Sequence, residues 1–377
     1  MKIAINALAV DGGGGQTYLE NLLPELDAKN DGHDYVVLLR KNHTVNLPPL
    51  SEKFKIVILS IPKPYLIGRF LLEQFYLPGW LKREKIDLLY SPADATTLLA
   101  PCPVVLAMRN PNLYIKDDLG WTFAYKAKFA VLSFLAALST RKAKQIIFVS
   151  EASRTLVCDK IKISEAKINI IHHGVSKIFF SPSELSAPAE KLLHDKKPYI
   201  LSVSSVYRYK NYIRLIEAFH KIRNKLPEPY HLIIIGTSFD NEYFSRLQET
   251  IKSLSLQSWA CYLGGFPLKQ LPGIYQQASL FAFPSFLETF GHTLVEAMAS
   301  NLPIAAADIL PTREIVGSAA RYFDPFNVDS IADGLIDGLT NIELRNRLKI
   351  EGAKQVKRYS WELCAKETVK TFDKAIQ

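Results

Sequence analysis

Residues Ser279 to Asn301 read SLFAFPSFLETFGHTLVEAMASN. The opening run Leu280-Phe281-Ala282-Phe283 is apolar and is stopped by Pro284, the pattern of a buried strand feeding a loop. From about Gly291 the chain turns helical: Leu294, Ala297 and Met298 recur at spacings of three and four and give an apolar face. Glu288 stands before this helix and Glu296 inside it. Between them lie Thr289, Phe290, Gly291, His292 and Thr293, around a helix N-terminus whose backbone donors and partial positive charge suit an anion. Gly291 has no side chain to keep a ligand away. Two glutamates at this spacing are, taken alone, more often solvated helix-end charges. The strand, the proline and the Phe-Gly pair in the loop favour a binding turn.

Glu288-x7-Glu296, with Phe290-Gly291 and Glu296-Ala297-Met298-Ala299, resembles the signature of glycosyltransferase family 4, retaining enzymes of the GT-B architecture. The resemblance implies an α/β fold of two Rossmann-like domains facing a central cleft, and a nucleotide diphosphate sugar as donor. Eight helical residues span roughly 12 Å, comparable to the distance from the sugar of such a donor to its ribose. On that reading Glu288 holds the donor sugar and Glu296 the ribose hydroxyls. Neither is expected to be a nucleophile, because no second carboxylate stands at the spacing glycosidases use.

At 377 residues the chain exceeds one ordinary core, and its 48% hydrophobic and 22% charged content is that of a globular protein. Cys102, Cys158, Cys261 and Cys364 are far apart with no metal-type spacing, which favours a reducing cytoplasm. MKIAINALAV reads as a first strand, not a signal peptide, and no run approaches the ~20 apolar residues that span a bilayer. The expected location is cytoplasmic, with peripheral attachment to the inner face of the membrane as an option. The net charge of +9 is concentrated in residues 1–200, which carry +7 against +2 for the remainder. Residues 101–150 hold seven basic and two acidic side chains, in a segment that includes the aromatic-rich Trp121 to Leu138. This bias suits an anionic membrane surface or a lipid-linked phosphate as well as a merely solvated face, and no nucleic-acid motif is present.

Lys2 to Ala9 reads as a strand, and the glycine run Gly12 to Gly15 precedes a helical pattern of Tyr18, Leu19, Leu22, Leu23 and Leu26. This is half of a Rossmann-like unit. The dinucleotide fingerprint is incomplete, with Thr17 in its third glycine position, so a dehydrogenase is disfavoured. The family resemblance places Gly14 and Gly15 near the donor phosphates. Further strands are expected at Tyr35 to Leu39, Lys55 to Leu59, Leu88 to Tyr90, Val104 to Met108, Gln145 to Val149 and Lys167 to Ile171, with a helix from Leu71 to Leu81 among the connections. Such alternation means a mainly parallel sheet covered by helices. Where the family often has a His-Asp pair, this chain has Arg109-Asn110, and a structural loop there is at least as good a reading as a catalytic one. His172-His173-Gly174-Val175 resembles the end of the family's first domain. Adjacent strand residues face opposite ways, so the two histidines are not expected to share an ion.

The expected domains are residues 1–180 on the acceptor side and 181–360 on the donor side, with a linker from Ser181 to Pro188. A last helix from Trp361 would return to the first domain. In the second half, Tyr199 to Val203 is a strand whose turn, Ser204 to Asn211, opens a helix. By resemblance Lys210 and Asn211 match the family's phosphate-binding lysine and its neighbour; Ser204 and Ser205 replace a common arginine, for which Arg208 is the substitute. A lysine in such a turn is otherwise usually just solvated. His231 to Gly236 is another strand, and Gly265-Phe266 stands where relatives bind the base. Pro303 to Ala307 continues the sheet, and Glu314 is read as structural.

The function expected is a retaining glycosyltransferase taking a UDP- or GDP-linked sugar to a glycan or lipid-linked acceptor, in cell-envelope polysaccharide or lipopolysaccharide assembly. Lys210 and Glu288 are the catalytic candidates. No metal cofactor is expected, since no Asp-x-Asp triplet occurs; Lys210 and the helix N-terminus near Gly291 would stabilise the departing diphosphate. The alternatives are a GT-B epimerase or phosphorylase and a non-catalytic nucleotide-sugar-binding protein.

Overall fold

The computed structural model describes residues 1–10, 13–29, 31–114, 121 and 123–377. Gly12 of the glycine run, and residues 115–120 and Thr122 of the basic aromatic region, lie outside them. The chain divides into two compact units, Met1–Gly174 with Ser360–Gln377, and Val175–Tyr359.

The first unit is a seven-stranded parallel sheet: β1 (Lys2–Asn6), β2 (Asp34–Arg40), β3 (Phe54–Leu59), β4 (Leu88–Ser91), β5 (Val104–Met108), β6 (Gln145–Phe148) and β7 (Ile168–Ile170), in the order β3-β2-β1-β4-β5-β6-β7. Its central strands are buried on both faces, which is why they read as unbroken apolar runs. The Gly13–Ala28 helix covers one face through Tyr18, Leu19, Leu22, Leu23 and Leu26. The Trp361–Ile376 helix lies in the same core through Trp361, Cys364, Ala365 and Phe372. Gly174 lies so close to the start of that helix that a Cβ there would fall 2.1 Å from the Trp361 backbone nitrogen.

On the opposite face the expected Leu71–Leu81 helix is longer and irregular. It runs α-helical over Tyr65–Leu71, π-helical over Leu72–Tyr76 and α-helical again over Leu77–Arg83. Its first turns escape sequence periodicity because their apolar side chains face outward.

The second unit is a six-stranded parallel sheet: β8 (Tyr199–Val203), β9 (His231–Ile235), β10 (Ala260–Tyr262), β11 (Leu280–Phe283), β12 (Ile304–Ala307) and β13 (Ala320–Phe323), ordered β10-β9-β8-β11-β12-β13. This is the doubly wound order in which the chain starts centrally, winds to one edge, then returns to wind to the other. Ligands in such sheets bind beyond the carboxyl ends of the strands at the reversal, here between β8 and β11. Leu280 pairs with Ile200 and Phe281 with Leu201, so the loops leaving these two strands emerge side by side. The strand β13 was not anticipated from the sequence. The second unit begins at Val175, and the Ser181–Pro188 stretch is no free linker: Ser186 caps a helix over Ala187–Leu193, and the Ser183 amide donates to Gln276 Oε1 at 2.8 Å.

Candidate active site

Five residues after β11, Glu288 meets Lys210, which lies seven residues beyond β8. The ammonium of Lys210 donates to Glu288 Oε1, and their side chains are only 12% and 11% exposed. Lys210 also stands over the rings of Tyr209 and Phe283, at 5.2 and 5.9 Å from their centroids. A second bond ties the two loops, from the Phe286 amide to the Tyr209 carbonyl at 3.0 Å.

Asn211 makes this meeting possible. It is buried, adopts φ +60, and caps the Tyr212–Ile222 helix. Its amide donates to the carbonyls of Pro284 at 3.1 Å and Pro325 at 2.7 Å. Asparagine tolerates the left-handed region better than most residues. The sequence assigned Asn211 to the donor; its amide nitrogen is instead committed to holding the β11 loop beside the β8 loop. Ser204 is tied down as well, its hydroxyl 2.6 Å from that of Tyr212. Arg208 turns to Asp240 at 2.9 Å and Glu242 at 2.6 Å. Ser205 is half-buried in the same loop.

Gly291 has φ +83 and precedes the His292–Ala299 helix, with Thr293 in its first turn. A Cβ on Gly291 would lie 2.9 Å from Leu294 Cδ1, so its lack of a side chain serves the turn itself. Phe290 is buried edge-on to His292 and Tyr359, and so belongs to the core of the turn. Thr289 lies half-buried between Glu288 and Phe290.

Glu296 is 8% exposed, and the Tyr275 hydroxyl donates to its Oε2 at 2.8 Å. Burial pushes its carboxyl up to about 7, with the tyrosine bond opposing. The sequence contained no sign of this tyrosine partner, 21 residues upstream.

Gly265 and Phe266 follow β10 at the sheet edge. Gly264, with φ +74, accepts at its carbonyl from the Gly236 amide at 2.9 Å. Gly236 is packed so tightly that a Cβ would fall 1.8 Å from the Ser204 carbonyl oxygen, which draws the ends of β8, β9 and β10 together. Beside them Tyr207 stacks between Tyr209 and Phe239, with ring centroids 5.4 and 5.7 Å away. This aromatic row was also missed, since Phe239 stands on a different loop from the two tyrosines. Glu314 lies in the Leu310–Val316 helix.

In the first unit the Arg109 guanidinium donates to the Gly14 carbonyl at 3.2 Å and covers the Tyr18 ring at 4.1 Å. The backbone amides of Arg109 and Asn110 both donate to Asp94 Oδ1, at 2.7 and 3.1 Å. Gly15 sits against Val10, within reach of Arg109. His173 is buried between Tyr18 and Trp361 and stacks on the indole. Among the described residues, no three His, Cys, Asp or Glu side chains converge as metal ligands would.

Two family models meet on this chain: Glycosyltransferase Family 4 over residues 12–177 and Glycosyl transferases group 1 over residues 184–355. The chain belongs to glycosyltransferase family 4. Among its relatives is an O-antigen chain mannosyltransferase of Escherichia coli, 27% identical over 62% of this chain and 61% of that protein. Another is the O-antigen chain mannosyltransferase RfbU of Salmonella typhimurium, 28% identical over 58% of each. The matches therefore span about three-fifths of the length of these curated relatives. The fold is GT-B. The structure of Anabaena HepE in complex with UDP and glucose has a TM-score of 0.75 to it, with 18% identity over 99% of both chains. In this family 4 member, Lys210 and Glu288 stand at the reversal of the second sheet, where the fold's geometry brings two loops together.

Proposed function

We propose that the protein is a retaining glycosyltransferase that moves a sugar from a UDP- or GDP-linked donor to a glycan or lipid-linked acceptor. The pathway proposed is cell-envelope polysaccharide assembly of the lipopolysaccharide O-antigen type, which the E. coli and Salmonella relatives support. The observation that carries the reading is the Lys210–Glu288 ion pair at the sheet reversal. A diphosphate arriving there meets a partly desolvated ammonium whose present partner is a carboxylate, so the donor's anion replaces one charge partner with another. Glu288 is then released toward the sugar hydroxyls. As the glycosidic bond breaks, charge grows on the departing diphosphate, and Lys210 together with the positive end of the His292–Ala299 helix offsets it without a metal ion. Glu296 takes the ribose, its second oxygen held by Tyr275.

UDP- and GDP-sugars, screened for thermal stabilisation and then for transfer in excess EDTA, test this. Stabilisation by one donor class and transfer that survives chelation are expected. Transfer that returns only with magnesium or manganese overturns the metal-free assignment, and donor isomerisation without an acceptor overturns the transferase reading.

A further inference from the structure

The first unit presents to water an apolar stripe that its own core does not use. Leu66, Ile67, Phe70, Leu71, Phe75 and Tyr76 are all exposed, Phe75 by 68%. Their spacing follows the backbone: Leu66 to Phe70 and Ile67 to Leu71 are four apart, the repeat of a regular α-helix. Phe70 to Phe75 and Leu71 to Tyr76 are five apart across the π turn, where the repeat is i to i+5. The extra residue thus keeps all six side chains on one side of the helix.

The same π turn is anchored from within. Buried Glu73 accepts from Asn6 Nδ2 at 3.2 Å and faces Arg69 at 3.7 Å. Gln74 donates to the Thr96 carbonyl at 3.1 Å and accepts from the Leu98 amide at 2.8 Å. Through Thr96, whose amide donates to Ser139 Oγ at 3.0 Å, the stripe is joined to the Phe123–Lys142 helix on the same face of the sheet. That helix exposes Tyr125, Val131 and Phe134, and Leu99 is exposed beside the bridge.

Charge selects the occupant. Glu73, buried, is the only acidic residue from Tyr65 to Arg83, and there is none from Phe123 to Lys142. Exposed Lys63, Lys82 and Arg83 flank the stripe, and exposed Lys126 and Lys128 ride on the second helix. We propose that this face docks on an anionic lipid bilayer, with the Leu66–Tyr76 stripe entering the interface and the lysines meeting the headgroups. Membrane contact is thereby shifted from the basic 101–150 region with its aromatic-rich Trp121 to Leu138 to a two-helix surface led by Tyr65–Arg83. Among the described residues no helix is long and apolar enough to cross a membrane, so the contact is interfacial.

The test is co-sedimentation of the full chain with phosphatidylcholine/phosphatidylglycerol vesicles and with phosphatidylcholine alone. Binding to the anionic vesicles is expected to weaken with salt. The double variant Phe70→Ser/Phe75→Ser should lose about tenfold or more in partitioning, because both rings leave the interface. Lys126→Glu/Lys128→Glu should weaken binding to anionic vesicles only. In Phe75→Trp, brominated lipid should quench the new indole. Unchanged partitioning of the Phe70/Phe75 variant, equal binding to neutral vesicles, or no vesicle binding overturns the proposal. So does concentration-dependent self-association abolished by the same serine variants without vesicle binding, which assigns the face to a second copy of the chain. None of these readouts depends on sugar transfer.

Discussion

Lys210 and Glu288, 78 residues apart in sequence, are joined in one ion pair because β8 and β11 are neighbours in the sheet. The pair links two roles that act on different parts of a donor, so single variants should separate them. Lys210→Ala removes the charge that offsets the leaving diphosphate and should lower transfer about 10²- to 10³-fold. It should also weaken the free nucleoside diphosphate. Glu288→Ala should lower transfer while binding the free nucleotide as well as the parent or better, because Lys210 no longer has a competing carboxylate. Calorimetry with the nucleotide and initial rates with the nucleotide sugar decide it. Equal loss of nucleotide affinity in both variants would count against the division of labour.

Glu296 should give the site a pH signature. Its carboxyl is raised to about 7 by burial, whereas an unfolded chain holds it near its ordinary value of 4.5. The folded state therefore binds the proton more tightly. The associated stability is fully present below about 4.5 and is lost as pH rises through about 7. Relative to Glu296→Gln, the parent should lose on the order of 3 kcal/mol across that window. The same proton governs binding, since an ionised carboxylate accepts two ribose hydroxyls and a protonated one does so less well. Affinity for a nucleotide sugar, whose diphosphate is a diester, should rise toward pH 7 in the parent and stay flat in Glu296→Gln. Parallel pH profiles in denaturant melts and titrations would remove Glu296 from the ribose.

The sheet was legible in the sequence because parallel strands buried on both faces are written as continuous apolar runs, as in Tyr199–Val203 and Leu280–Phe283. The Glu288–Glu296 turn was legible because proline, glycine and helix formers are local signals. What was not legible is tertiary. Tyr275 and Glu296 stand in two different helices and meet only after the strand β11 between them has folded into the sheet. Asn211 looks like a ligand residue until its two carbonyl partners, on other loops, are seen. The Leu71–Leu81 part of the Tyr65–Arg83 helix was legible, but its first turns were not, because their outward face is apolar, which breaks the rule that hydrophobic periodicity marks the buried side.

Asn211→Ala should damage folding and site together. It deletes both donors to Pro284 and Pro325 at a buried position and puts alanine at φ +60. Two unsatisfied carbonyls and the backbone strain should cost roughly 2 to 4 kcal/mol. Asn211→Asp keeps the backbone preference but turns a buried carboxylate oxygen toward both carbonyls, and should be no more stable than the alanine variant. Chemical denaturation measures both, and an alanine variant as stable as the parent would refute the anchoring role.

Arg109 occupies the position where relatives often place a histidine, and its contacts point to the glycine loop. Its guanidinium holds the Gly14 carbonyl and lies on the Tyr18 ring, while Asp94 fixes its backbone from below. Because the Asp94 bond uses the main chain, Arg109→Ala should leave the β5 turn intact and release the loop. Amide exchange over residues 13–18 should then quicken in the free protein, where no chemistry is involved. If Gly14 and Gly15 approach the donor phosphates, the variant should raise KM for the donor about tenfold, the worth of one charge-assisted hydrogen bond, and lower kcat less. Arg109→Lys keeps the charge but loses the planar stacking on Tyr18 and should fall between the two. Fast transfer and unchanged exchange in Arg109→Ala would return the residue to a structural loop. A loss of kcat with KM and exchange unchanged would instead assign it the role of the missing histidine, at the reacting sugar.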